Sequence, residues 1–215
     1  MQRVDHTLLR PTATRAEVLG TCAEALRYGA ASACIPPCYV KTAKETFQSL
    51  RVCTVVGFPL GYSTIESKIA EIVAAKAAGA DEFDIVINQG YAADGRFEDI
   101  HAELCRAREA CGEGVMKVII ETCNLRDEQK IALCEVVGRA KADYIKTSTG
   151  FGAAGAAMAD ILLFKAHLPA GVKIKAAGGI RTREDMEAFV AAGCDRLGTS
   201  SAVKILFENE AADGY

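Results

Sequence analysis

The chain has 215 residues, 25 basic and 28 acidic, for a formal net charge of −3. Half of the residues are hydrophobic and a quarter are charged, which excludes disordered, collagen-like and low-complexity readings. So small an acidic balance gives no broad electrostatic footprint for nucleic acid or an anionic membrane, and a chain this long can bury a full core without staples.

The opening MQRVDHTLLRP lacks the apolar run of a secretory signal. Residues 3–7 read as a short strand before a helix over 14–28, whose Thr14 and Glu17 have capping-box spacing. A strand over 31–35 carries Cys34 and runs into CIPPC, where a doubly wound sheet would show a glycine-rich loop. Strand 52–56 follows. The next helix has Ser63 and Glu66 at capping-box spacing, with Ile65, Ile69, Ile72 and Val73 as its apolar stripe. Further strands over 82–87, 115–120, 143–147, 172–176 and 195–198 alternate with helical segments.

From the strand at 31 onward, successive strands start 21 to 33 residues apart, about one βα unit each. Near-continuous apolar runs such as VIIE indicate strands covered on both faces. Helices end near Gly29, Gly79 and Gly193, where a left-handed cap costs glycine little. AAGADEFD (77–84) and AAGCDRLG (191–198) repeat one pattern, a helix end followed by Asp and a strand. Eight such units predict an α/β fold, a single-domain (β/α)8 or TIM barrel over 1–215. The open doubly wound sheet is the competing architecture.

Nine cysteines without a CxxC pair, in a chain well beyond disulfide-scaffold size, predict reduced thiols in a cytoplasmic protein. Most should act as small buried hydrophobes. His6, His101 and His167 are scattered without ligand spacing, so neither a metal nor a cofactor is expected. The uncharged stretch 147–159 is too short to span a bilayer, and no basic, aromatic-interleaved stretch suits nucleic acid.

Barrel chemistry collects at the C-terminal ends of the strands. Asp84, Lys146 and Lys175 are charges in otherwise apolar strands four, six and seven, so they need one another or a ligand. Two adjacent lysines leave one able to act as a neutral amine toward a carbonyl, with the carboxylate moving protons. An internal salt bridge of one Asp with two Lys satisfies the same pattern. Lys173 shares the parity of Lys175 and should lie lower in the barrel, paired with Glu121 or Asp143. Gly178 and Gly179 after strand seven, with Ser200 and Ser201 after strand eight leading into a helix, match the usual barrel phosphate site. A tight turn and a plain N-cap are the bland alternatives for each feature alone.

With these residues in place, the sequence resembles the deoxyribose-phosphate aldolase family, class I aldolases that form a Schiff base. The matching segments are DHTLL (5–9), the strand with Cys34, GFPLG (57–61), AGADEFDIVIN (78–88), KVIIET (117–122), YIKTSTGFG (144–152), VKIKAAGGIRT (172–182) and RLGTSSA (196–202). The resemblance implies Lys146 as the Schiff-base lysine, Lys175 as the second lysine and Asp84 as the acid/base. It implies phosphate binding by Gly150, Gly178, Gly179, Arg181, Gly198, Ser200 and Ser201. Asp5, Thr7 and Cys34 would lie beside the substrate, and Tyr215 would be a terminal proton shuttle. Some members carry a basic residue where this chain has Phe151, which would shift phosphate binding onto backbone groups and Arg181.

The implied reaction is reversible, metal-free cleavage of 2-deoxy-D-ribose 5-phosphate to D-glyceraldehyde 3-phosphate and acetaldehyde, in deoxyribose and deoxynucleoside catabolism. Partners would then be a phosphorylated sugar and a small aldehyde, with a homodimer left open. A class I aldolase for another phosphorylated sugar and a non-catalytic phosphosugar-binding barrel are the alternatives.

Overall fold

The computed structural model describes residues 1–208. Eight parallel strands lie in chain order: β1 Val4–Thr7, β2 Ser32–Cys34, β3 Val52–Val56, β4 Glu82–Val86, β5 Val115–Ile119, β6 Tyr144–Lys146, β7 Lys173–Ala177 and β8 Arg196–Thr199. Because β1 pairs with both β2 and β8, the sheet closes into the predicted barrel and leaves no edge strand. The helices α1 Arg15–Arg27, α2 Val40–Thr46, α3 Ile65–Ala77, α4 Gln89–Ala93, α5 Phe97–Cys111, α6 Asp127–Arg139, α7 Met158–His167 and α8 Arg183–Ala192 occupy the connections. Among the described residues, no helix is long and apolar enough to cross a membrane.

Strands β2 and β6 are shorter than the sequence suggests, at three residues each. Single bonds carry the pairing a step further, Ile35 N–H to Cys53 O (3.1 Å) and Thr147 N–H to Lys175 O (3.1 Å). Thr14 and Glu17 form the expected capping box at the start of α1.

The start of α3 corrects the sequence reading. Thr64, not Ser63, is the cap, accepting from Ser67 N–H at 3.4 Å, and Glu66 turns away to Arg106 at 2.9 Å. With the cap one residue later, the reciprocal position falls on Ser67 and no Glu is in place to close a box. The buried stripe of α3 is Lys68, Ile72 and Ala75, whereas Val73 is exposed. Lys68 takes a place on the inner face because its ammonium bonds Val86 O (2.8 Å) and Glu103 of α5 (2.5 Å).

The repeated helix–Asp–strand pattern has a physical basis at the lower rim of the barrel. Asp81 accepts from Val52 N–H (2.8 Å), Asp143 from Met116 N–H (2.8 Å) and Asp195 from Ile174 N–H (3.1 Å). Each carboxylate thus satisfies an amide of the preceding strand where the ladder begins.

Strand register divides the molecule into two unlike regions. Outward residues such as Phe83, Ile85, Val118, Ile145, Ile174 and Leu197 are buried against the helices and form the hydrophobic core. The inward residues include Asp5, Glu82, Asp84, Lys117, Lys146, Lys175 and Arg196, all buried. The interior of this barrel is therefore largely ionic, with a small apolar cluster of Cys34, Cys53 and Val55 on the same inward face. The main apolar core is the layer between strands and helices.

Candidate active site

Asp84 on β4 is the hub of that interior. Its Oδ2 accepts from Lys146 Nζ (2.7 Å) and Lys175 Nζ (2.6 Å), while Oδ1 accepts from Lys117 Nζ (2.8 Å) and the Cys53 thiol (3.2 Å). The register aligns Asp84 with Lys117 and Lys146 with Lys175, so closure of the barrel brings strands four to seven onto one carboxylate. Asp5 continues the network, taking Lys175 (2.5 Å), Arg196 (2.5 Å) and the Ser32 hydroxyl (2.7 Å). Glu82 pairs with Lys117 at 2.6 Å and Arg196 at 3.2 Å.

Burial by itself would raise the carboxyls of Asp5 and Asp84. Their lysine neighbours, joined at Asp5 by Arg196, hold both below the ordinary carboxylate range. Burial likewise opposes the charged form of Lys175, yet Asp5 and Asp84 push its ammonium above the usual lysine value. Lys117 is raised in the same way, against its own burial, by Asp84 first and then by Cys53, Asp5 and Glu82. In this cluster three carboxylates face four bases. Among the described residues Lys146 has a single carboxylate partner, Asp84, and it shares that partner with Lys175 and Lys117. It is the base least held by negative charge.

Lys146 is also the member of the cluster that opens onto a cavity of about 470 Å³ at the barrel mouth. All seven residues that the resemblance assigns to phosphate, from Gly150 to Ser201, line the same cavity, as does Thr7. Gly150, Gly178 and Gly179 adopt positive φ, with values of 86°, 81° and 76°. Glycine is needed where these loops turn and approach each other. The segment after β8 turns helical from residue 202 and widens over Lys204–Glu208. Phe151 lies on the cavity wall and meets Phe58 edge-on, with ring centroids 5.3 Å apart.

Asp5 and Cys34 are fully buried below this wall, and Tyr215 lies outside the described residues. Lys173 departs from its expected pairing. It is exposed at the lower rim, 5.6 Å above the Tyr144 ring, because two residues before Lys175 the strand has already reached solvent. Asp143 is taken by Arg108 at 2.8 Å, and Glu121 sits at the opposite end of the barrel.

Among the described residues, Cys34, Cys53 and Asp84, and also Asp5, Cys53 and Glu82, lie close enough to gather a cation. The Lys117 ammonium already fills that position, 3.2 Å from Cys53 Sγ and 2.6 Å from Glu82. All nine cysteines are unpaired, and burial pushes the Cys134 and Cys194 thiols up to about 12, as inert core thiols require.

A family model described as DeoC/LacD family aldolase matches residues 1–200. The chain belongs to this aldolase family. A deoxyribose-phosphate aldolase of Clostridium botulinum (strain Alaska E43 / Type E3) is 50% identical over 216 positions, covering 100% of this chain and 97% of that one. One from Clostridioides difficile (strain 630) is 45% identical over 214 positions, covering 99% and 98%. Among solved structures, the tetrameric deoxyribose phosphate aldolase of Aeropyrum pernix superposes with a TM-score of 0.89 at 34% identity, covering 98% of this chain and 91% of its own.

The sequence reading passed over Lys117, Glu82 and Arg196, which complete the ionic cluster, and Thr149, which lines the cavity. Their signal was present in the sequence. Glu82 and Asp84 alternate along one strand, and Lys117 and Arg196 interrupt apolar runs at inward parity.

Proposed function

We propose that the protein cleaves 2-deoxy-D-ribose 5-phosphate reversibly to D-glyceraldehyde 3-phosphate and acetaldehyde through a Schiff base on Lys146. The observation that carries this reading is the position of Lys146, the one base of a buried cluster that faces the cavity, sharing Asp84 with Lys175. Relatives named deoxyribose-phosphate aldolase supply the substrate.

In this mechanism the Lys146 amine attacks the sugar aldehyde, and loss of water leaves an iminium. The iminium accepts the electron pair of the C2–C3 bond as that bond breaks, while the C3 hydroxyl loses its proton and becomes the aldehyde of glyceraldehyde 3-phosphate. Protonation of the enamine at C2 and hydrolysis then release acetaldehyde and restore the amine. Lys175, held protonated by Asp5 and Asp84, supplies a fixed positive charge beside the reacting nitrogen. Asp84 reaches both lysines and moves protons between Lys146 and bound water. At the far wall the backbone of Gly150, Gly178, Gly179 and Gly198, with Arg181, Ser200 and Ser201, holds the phosphate.

A cytoplasmic place in deoxyribose and deoxynucleoside catabolism, and self-association into a homo-oligomer, belong to the same reading. Borohydride reduction in the presence of 2-deoxyribose 5-phosphate, read by intact mass and peptide mapping, should place an adduct on Lys146. A Lys146→Ala variant that retained full cleavage would refute the assignment.

A further inference from the structure

We infer that Glu121 is a positioning residue that clamps the β6–α7 loop into the shape the phosphate end of the cavity needs. The inference rests on reading that end as a phosphosugar site.

Glu121 follows the last residues of β5 and does not itself line the cavity. Its backbone is left-handed, with φ 53°, a conformation that is strained for a residue with a Cβ. Its side chain is nevertheless buried, at 2% exposure, and aimed at one residue of the loop. The carboxylate accepts from the Thr149 hydroxyl at 2.5 Å and from Thr149 N–H at 3.3 Å to each oxygen. The Thr149 hydroxyl oxygen in turn accepts from Phe151 N–H at 3.0 Å.

This chain of bonds fixes Thr149, Gly150 and Phe151, three consecutive residues of the cavity wall. Gly152 packs so closely that a Cβ there would stand 3.1 Å from Glu121 Oε1. The far side of the loop is tied separately, by Ala156 N–H to Ala177 O and Gly178 O at 3.1 Å. Between the two anchors the loop crosses Gly178, whose own Cβ, if present, would be 3.3 Å from Gly150 Cα. The loop and the Gly178–Gly179 turn therefore hold a narrow spacing, and Glu121 is the charged member that keeps one of the two walls in place. Lys146 sits in β6, before the clamp, and keeps its own contact with Asp84 whether or not Glu121 is present. The clamp should therefore serve binding of the phosphate and leave the amine chemistry alone.

The test compares 2-deoxyribose 5-phosphate with unphosphorylated 2-deoxyribose. Losing a hydrogen bond to a charged group should raise KM for the phosphorylated sugar about tenfold in Glu121→Ala, while kcat/KM for the unphosphorylated sugar stays within about twofold of wild type. Thr149→Val breaks the same contact from the loop side and should give the same split. The double variant should lose less than the product of the two single effects, since both remove the hydroxyl–carboxylate bond. Glu121→Gln, which can still accept from Thr149 N–H, should restore most of the affinity.

Equal losses on both sugars, or a Gln variant as impaired as the Ala variant, would overturn the clamp. If Glu121→Ala does not fold, Thr149→Val decides by the same criterion. A wild type indifferent to the phosphate overturns the phosphate reading and the clamp together. Wild-type preference for the phosphorylated sugar with both single variants unchanged overturns the clamp alone.

Discussion

Replacing Lys117 by Met tests whether the ionic interior is a coupled network. Met keeps much of the length of the side chain but removes an ammonium bonded to Asp84 at 2.8 Å and Glu82 at 2.6 Å. Asp84 would retain Lys146 and Lys175, and Asp5 would retain Lys175 and Arg196. Glu82 would be left with Arg196 at 3.2 Å and the peripheral Arg51 at 3.8 Å. Breaking a buried pair from one side costs about 3–5 kcal/mol, because the surviving charge stays desolvated. For a chain of this size that corresponds to a fall in Tm of about 10 °C. Urea unfolding and a thermal melt would both report it.

The decisive variant is the double one, Lys117→Met with Glu82→Gln. It removes the stranded charge as well and should recover more than half of the loss, since deleting both partners is far milder than deleting one. A Lys117→Met variant within about 1 kcal/mol of wild type, or a double variant with no recovery, would refute the account of the interior as a network of mutually dependent charge pairs.

Three further outcomes follow from the structure. A Cβ on Gly155 would lie 2.2 Å from Gly178 O, a backbone atom that cannot turn aside. Gly155→Ala should therefore displace the loop and raise KM for the phosphorylated sugar, as steady-state kinetics would show. The Asp5 carboxyl is lowered, so its contribution to stability is full above the unfolded value of about 4 and is lost as pH falls toward the lower folded value. The stability gap between wild type and Asp5→Asn should be constant near neutrality and shrink in denaturant titrations below about pH 4; a constant gap down to pH 2 would contradict it. At the start of α3, Thr64→Ala should cost about 1 kcal/mol and Ser63→Ala almost nothing, because Thr64 holds the cap.

Much of the site was legible before the fold was known. Asp84, Lys146 and Lys175 stood out because a lone charge in an apolar strand is costly, and the register does join them. The glycines and serines after β7 and β8 were legible because barrel loops collect at one end. Lys117 and Arg196 carry the same signal, but the carboxylates that neutralise them, Glu82 and Asp5, become their neighbours only through the register around the ring. The pairing of Lys173 was misjudged because parity reports the face of a strand but not the height along it. Glu121 was legible only as part of KVIIET and as a candidate partner for Lys173, because φ and a partner in the next loop are properties of the folded chain.

Composition marked the chain as globular, and the spacing of apolar runs predicted eight βα units, because periodicity and length are local properties of the chain. Which inward charges touch was decided by the tertiary structure. Closure sets the register around the ring, and the register determines that four bases meet three carboxylates inside it. The net charge of −3 is uninformative here for that reason, being a sum over the whole chain, whereas the buried cluster holds one more base than acid.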